Sequence, residues 1–379
     1  MPSPIAPVTF ATPATPVALA ALASDFPALL AAVRPAIEQR LSALWDGRIA
    51  ELRPHGAEVT AMASAARDLT LRGGKRYRAA LLAAAYGGVA QGASLEPAFQ
   101  AGVALELLQT YLLIQDDWMD GDLTRRGGPS VHAALSQRLG GAHLGASSAM
   151  LASDLSWNLA FEVASSIDLP ADRVLATLRA LVHVHQDVIV GQQIDMLGRA
   201  EDVEAMHALK TGSYTVRGPL ALGATLAGAS PATRAALDRF AAPVGVAFQL
   251  RDDLLGTFGS PGETGKPVGN DLRAGKRTAI LAEAEGRLGD AARAVLDRAF
   301  GQAEATDGEV IAATAALEAC GARAAVSDRL ARLCREAMEL ATALPLAEPA
   351  PALLAGAAAA LAPGGGLHEG PVTARGARR

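Results

Sequence analysis

Three aspartates close the apolar run Tyr111-Leu-Leu-Ile-Gln-Asp-Asp-Trp-Met-Asp120. On a helix, Asp116 and Asp120 fall one turn apart and project from one face, with Asp117 beside them. Bare carboxylates this close repel one another, and burying them without counter-charge is costly. A shared hard divalent cation such as Mg²⁺ removes both penalties, because it takes oxygen ligands and bridges to phosphates. The loop that follows, Gly121-Asp-Leu-Thr-Arg-Arg-Gly127, brings the guanidinium groups of Arg125 and Arg126 close by. Carboxylates for a metal next to arginines for phosphate are the chemistry of a diphosphate site. Taken alone, such a triplet is as readily a solvated helix end. The rest of the chain decides between the two.

A second acidic pair, Asp252-Asp253, ends the run Gln249-Leu-Arg-Asp-Asp-Leu-Leu-Gly256 and repeats the layout of the first. Each has an apolar helix, a glutamine just upstream, two aspartates, two residues and a break. Two such helix ends facing each other across a bundle would hold metal ions between them. Basic partners are also present. Gly73-Gly-Lys-Arg-Tyr-Arg78 offers Lys75, Arg76 and Arg78 after glycines that let backbone amides approach an anion. Lys210-Thr211 opens a helix break, and Lys266 and Lys276 follow the second acidic pair. Any one of these is readily a solvated basic loop; four together, ordered around two acidic motifs, are not. No Ser/His/Asp or Cys/His arrangement stands out. His183 and His185, two apart on a helix, point to different faces and read as ordinary helix histidines.

The elements that must position these groups are helices. Half of the 379 residues are apolar and only 4% aromatic, with Ala and Leu dominant, which favours helix over strand. Helical periodicity begins at Asp25 with Leu29, Leu30, Val33, Ile37 and Leu41. Pro97 to Met119 is apolar nearly all round and therefore central. Further helices are expected over 143–166, from Pro170 to about Met196, over 203–210, and from Thr233 to Leu255 with its end at Gly256. A Gly/Pro-rich loop follows over 259–275, then two or three helices to about Leu344. The reading is an all-α bundle forming one domain over 25–345, with flexible segments at 1–24 and 346–379.

A net charge of −5 argues against a nucleic-acid surface. Cys320 and Cys334 form neither a metal spacing nor a disulfide framework. The N-terminus lacks a basic n-region, and the most apolar runs fall short of the roughly 20 residues that span a bilayer. A soluble, cytoplasmic protein with no transmembrane segment is expected.

The ordered series GGKRYR, LLQTYLLIQDDWMD, RRGGPSVH, GQQID, LKTGS, FQLRDDLLG and GKPVGNDLRAGKRT resembles the trans-polyprenyl (isoprenyl) diphosphate synthases of short-chain type. The resemblance implies an isoprenoid-synthase helical bundle with a central substrate cavity, usually a homodimer. It implies condensation of isopentenyl diphosphate with an allylic diphosphate (dimethylallyl, geranyl or farnesyl) by Mg²⁺-assisted ionisation. By the same resemblance Asp116, Asp117 and Asp120 would bind two Mg²⁺ on the allylic diphosphate, and Asp252, beside Asp253, a third; Mn²⁺ could substitute. Arg125, Lys210 and Lys266 would hold that diphosphate, with Lys276 a further phosphate partner. Lys75, Arg78, Gln109 and Arg126 would hold isopentenyl diphosphate. Thr211 and Gln249 match positions whose oxygens face the developing allylic cation, and the released diphosphate would take the proton.

One departure is plain. Many relatives finish the second motif with Asp where this chain has Gly256, so a weaker outer shell is expected there. Product length would depend on the floor of the apolar tunnel, where Tyr111 and its smaller neighbour Leu112 lie. Farnesyl or geranylgeranyl diphosphate is expected, leaning to geranylgeranyl. A class I terpene cyclase shares the bundle and the first motif, but needs an Asn/Ser/Glu metal motif that the turns after Asp253 lack. A non-catalytic partner subunit is expected to lose the acidic motifs, and here the first is intact.

Overall fold

The computed structural model describes residues 17–197, 203–259 and 269–367. Among them the regular structure is helical apart from one two-residue-by-two-residue antiparallel ribbon, Thr124–Arg125 against Gly128–Pro129. The all-α reading therefore holds. The described residues fall into two compact units, one of residues 17–185, 218–238 and 344–354, the other of 186–197, 203–217, 239–259, 269–343 and 355–367. A single body over 25–345 was the expectation.

The first unit is built around helix Glu96–Met119, where Val103, Leu105, Leu107 and Leu108 are fully buried although they point in different directions. A helix apolar all round can only be a central one. Around it pack Phe26–Leu52, Tyr77–Val89, Ala142–Ser165 and Gly218–Leu226. Helix Phe26–Leu52 starts where Asp25 caps it, its carboxylate accepting from the Ala28 N–H at 2.8 Å. Small residues allow close approach. A Cβ on Gly223 would lie 2.4 Å from the Leu82 carbonyl oxygen, so Gly218–Leu226 rests directly on the backbone of Tyr77–Val89. Trp45, Phe26 and Leu81 complete a core in which burial of each large side chain contributes about 1.5–3 kcal/mol.

The second unit holds the C-terminal parts of Ala171–Leu197 and Pro231–Phe258, and helices Ala279–Ala284, Asp290–Asp297, Asp307–Ala319 and Ala322–Thr342. Asp307–Ala319 carries a reciprocal capping box between Thr306 and Glu309.

Several boundaries differ from the sequence reading. Four helices, rather than two or three, occupy 278–344. Helix Pro231–Phe258 runs on through Gly256, because one glycine in an otherwise regular helix costs only about 1 kcal/mol. The short helix expected over 203–210 is Val203–His207, continued by a π-helical stretch, Ala208–Arg217. The tail expected to be flexible from 346 contains helix Ala350–Ala359, with Leu353 and Leu354 fully buried. Its run of Ala and Leu has no polar residues to reveal a face, and packing supplies the order that periodicity could not. Among the described residues no single helix is long and apolar enough to cross a membrane.

Candidate active site

Helix Glu96–Met119 carries two clusters, one on its last turn and one two turns earlier. At the end, Asp117 is fully buried, with Asp116 half-buried and Asp120 exposed as the C-cap. Arg125, reaching back from the ribbon, gathers the acids: its Nε donates to Asp117 Oδ1 at 2.6 Å and its Nη2 to Asp116 and Asp122, each at 3.3 Å. Burial pushes the Asp117 carboxyl up to about 6, against the pull of Arg125. Its second oxygen, Oδ2, is buried with no hydrogen-bond partner.

Among the described residues no three acidic, His or Cys side chains converge at coordination distance. A guanidinium fills the place where the carboxylates meet. An oxygen-only donor set, one buried oxygen without a partner and a cation already drawn into the cluster suit a hard divalent ion. Asp116, Asp117 and Asp120 would hold it. Asp122 was not singled out in the sequence and joins this cluster.

The second cluster forms around Gln109. With its amide nitrogen donating to Glu106 Oε2 at 3.2 Å, its oxygen accepts from Arg78 Nη1 and Arg126 Nη2, both at 3.1 Å. The backbone that delivers these arginines is unusual. Gly73 and Gly74 have φ of 68° and 96°, and Arg76 and Arg126 are themselves left-handed at 57° and 52°. A left-handed non-glycine residue costs about 1–2 kcal/mol and persists where the surroundings hold it. Arg72 fixes the ribbon, donating to the carbonyls of Arg125 at 3.1 Å and Pro129 at 2.8 Å, with its guanidinium laid over Gly128. Lys75 lies half-buried beside them. Thus the adjacent Arg125 and Arg126 part company: one serves the acids, the other Gln109.

Beneath the first motif, Tyr111 is buried and meets the His185 ring edge-on at 4.9 Å and the Trp157 ring at 6.1 Å. The Trp157 and His185 rings lie tilted at 50° with centroids 4.5 Å apart. Leu112 is half-buried. Sequence reading passed over Trp157 and set His185 aside as ordinary, since nothing in a single helix marks which residue of a neighbouring helix it will touch.

In the second unit, Asp252 is exposed while Asp253 is buried with both oxygens engaged. Gln249 Nε2 donates to one at 2.7 Å and the Ala279 N–H to the other at 2.8 Å. Burial pushes the Asp253 carboxyl up to about 6. Asp253, expected among the metal ligands, instead ties two helices together with both oxygens, and Asp252 is the exposed acid of the pair. The Gly256 departure has a counterpart: a Cβ there would sit 2.0 Å from Asp271 Oδ2, so the Asp271 carboxylate lies against the glycine. A carboxylate from the next motif occupies the space that an Asp side chain at 256 would need.

Lys210 lies in the π-helical stretch and pairs with Asp195 Oδ2 at 2.5 Å. Gly191 lets the two backbones approach, since a Cβ there would stand 2.4 Å from the Lys210 backbone nitrogen. Sustained π-helix is rare and frequent at functional sites. Thr211 and Lys276 are half-buried, and Lys276 bears on the charge of Asp253. Lys266 lies outside the described residues.

Residues 59–317 match the polyprenyl synthetase family model. The chain belongs to the polyprenyl synthetase family. This polyprenyl synthetase is 32% identical over 265 residues to the short chain isoprenyl diphosphate synthase of Methanocaldococcus jannaschii, covering 69% of this chain and 77% of that one. It is 37% identical over 254 residues to the geranylgeranyl diphosphate synthase of Mycobacterium tuberculosis, covering 65% and 69%. Among solved structures, the geranylgeranyl pyrophosphate synthase from Corynebacterium glutamicum complexed with isoprenyl diphosphate and magnesium matches with a TM-score of 0.80 at 32% identity, over 89% of this chain and 99% of that one. The protein is a prenyltransferase of short-chain trans type. Relatives named as synthases of linear diphosphates favour elongation over the cyclase and the non-catalytic subunit.

Proposed function

We propose that this prenyltransferase extends an allylic diphosphate with isopentenyl diphosphate, ending at geranylgeranyl or farnesyl diphosphate, with geranylgeranyl the expected main product. The observation that carries this is the separation of two anion-recognition clusters along one helix. Asp116 and Asp117 gather Arg125, while Gln109 gathers Arg78 and Arg126. A cyclase, with one diphosphate to bind, has no use for the second cluster.

Arg125, Lys210 and Lys266 would hold the allylic diphosphate; Lys75, Arg78, Gln109 and Arg126 would hold isopentenyl diphosphate. Three Mg²⁺, replaceable by Mn²⁺, would be held by Asp116, Asp117, Asp120 and Asp252. When bound they supply electrostatic stabilisation of the leaving diphosphate. The allylic carbon–oxygen bond breaks with its electron pair going to the diphosphate. The double bond of isopentenyl diphosphate then attacks the cationic carbon, and the proton lost passes to the released diphosphate. The oxygens of Thr211 and Gln249 would face the cation; Gln249 gives its amide nitrogen to Asp253, which turns its oxygen elsewhere. Tyr111, backed by Trp157 and His185, would set the floor of the chain-length tunnel.

Assembly as a homodimer fits the surface. Leu175, Ile189 and Met196 are each about half exposed and lie fourteen and then seven residues apart on helix Ala171–Leu197, and Leu151 and Phe161 are exposed on Ala142–Ser165. Exposed leucines in such stripes mark interaction faces, and a second copy is the partner proposed. A cytoplasmic setting suits substrates that are small water-soluble diphosphates.

Incubation with isopentenyl and dimethylallyl diphosphate plus Mg²⁺, read by product mass, tests the reading. A linear elongated diphosphate is expected. A cyclic hydrocarbon, or no product, would overturn it.

A further inference from the structure

Glu106 is a carboxylate in the middle of the central helix of the first unit, 2% exposed, and the reaction assigns it no task. Its Oε2 receives Arg76 Nη1 at 2.6 Å and the Gln109 amide nitrogen at 3.2 Å, while Oε1 has no hydrogen-bond partner. Arg76 is equally buried, holds its left-handed backbone at φ 57°, and also donates to the Thr70 carbonyl at 2.8 Å. Neither charge reaches solvent.

A glutamine amide has nearly the same shape either way round, and only its neighbours decide which end points where. The nitrogen end turned toward Arg78 and Arg126 would set donors against donors. Glu106 removes that choice, because a carboxylate accepts only and so takes the nitrogen. The oxygen is then fixed toward two guanidinium groups, one from the first turn of helix Tyr77–Val89 and one from the turn of the ribbon. Arg76 supplies the counter-charge without which burying the Glu106 carboxylate would be costly.

We propose that Glu106, clamped by Arg76, is the positioning residue that orients Gln109 and so brings Arg78 and Arg126 together into a ready diphosphate cradle. The proposal rests on the assignment of that cradle to isopentenyl diphosphate. It acts on one substrate only, which gives it a signature that a general loss of packing lacks.

Replacing Glu106 alone would leave the buried Arg76 with only the half-exposed Glu38, 3.7 Å from its Nε, as an acidic neighbour, so the informative variant is Arg76→Met with Glu106→Leu, which exchanges the buried pair for apolar groups of similar size. Isothermal calorimetry with isopentenyl diphosphate alone, KM for each substrate, kcat and thermal melting are compared with the parent. Affinity for isopentenyl diphosphate is expected to fall about tenfold or more, with the allylic KM shifted less than about twofold and kcat less than about threefold. The milder Glu106→Gln should move the same affinity in the same direction by less. Gln109→Ala should lose about as much, and adding the double replacement to it should cost nothing further. Parent-like affinity in the double variant would overturn the proposal, as would equal rises in both KM values that track a loss of melting temperature. A parent that makes no elongated product would instead reject the assigned reaction, and the calorimetric comparison would still decide the relay.

Discussion

Arg125 and its carboxylates show what single residues contribute. Asp117 has surrendered all contact with solvent, and the guanidinium at 2.6 Å is what makes that tolerable. Removing the charge while keeping the shape, Asp117→Asn, should lower kcat by roughly 10²–10³ at saturating Mg²⁺, the scale of losing one preorganised electrostatic contact. Steady-state kinetics with melting curves as control would check it; parent-like turnover in a folded variant would remove Asp117 from the metal site. Gly256 makes a second point. The space beside its α-carbon holds the Asp271 carboxylate, so even Gly256→Ala must displace it, at a cost of about 1–3 kcal/mol for overpacking. Thermal unfolding should show the loss, and Gly256→Ala combined with Asp271→Gly should recover most of it. Spacing along the chain revealed Asp116, Asp117, Asp120 and Asp252 as acids worth noting. It could not reveal that Asp253 spends both oxygens on Gln249 and Ala279, because those bonds join separate elements.

At the scale of elements, helix Glu96–Met119 is a ruler. Gln109, Tyr111 and Asp116 lie at successive levels, so the phosphate partners, the proposed tunnel floor and the acids are spaced by helical rise alone. Tyr111 does not act as a lone plug, since Trp157 and His185 from two other helices meet its ring. Tyr111→Ala should therefore lengthen the product, and Tyr111→Ala with Trp157→Ala should lengthen it further. Product mass is the readout; an unchanged chain-length profile in both would take the floor away from these residues. The π-helical stretch Ala208–Arg217 belongs to this scale too. A helix was legible there, but its widening was not, because hydrophobic spacing over ten residues barely separates one helical period from another.

For the molecule as a whole, the exposed stripe at Leu175, Ile189 and Met196 predicts that Ile189→Glu weakens self-association. Light scattering after size exclusion should then show monomer at concentrations where the parent is a dimer; a monomeric parent would end the argument. The two cysteines give a check on the core. Cys334 is buried, and burial pushes its thiol up to about 11, so it carries little thiolate near neutral pH; Cys320 is half-buried. A thiol reagent at mildly alkaline pH should label native protein at Cys320 first and reach Cys334 only on unfolding. Early labelling of Cys334 would contradict the packing around helix Ala322–Thr342.

Read alone, the sequence determined the helical class, the order of the motifs, the family and the residue types able to hold metal and phosphate. Each of these depends on composition or on spacing within one element, where the helical period ties position to direction. Tertiary structure decided the rest. It set which arginine answers the acids and which answers Gln109, and it gave Glu106 its place between Arg76 and Gln109. It also filled the gap at Gly256 with Asp271 and buried the helix at Ala350–Ala359. These are contacts between residues far apart in the chain. A buried charge or a glycine reveals its purpose only through the neighbour that folding brings to it.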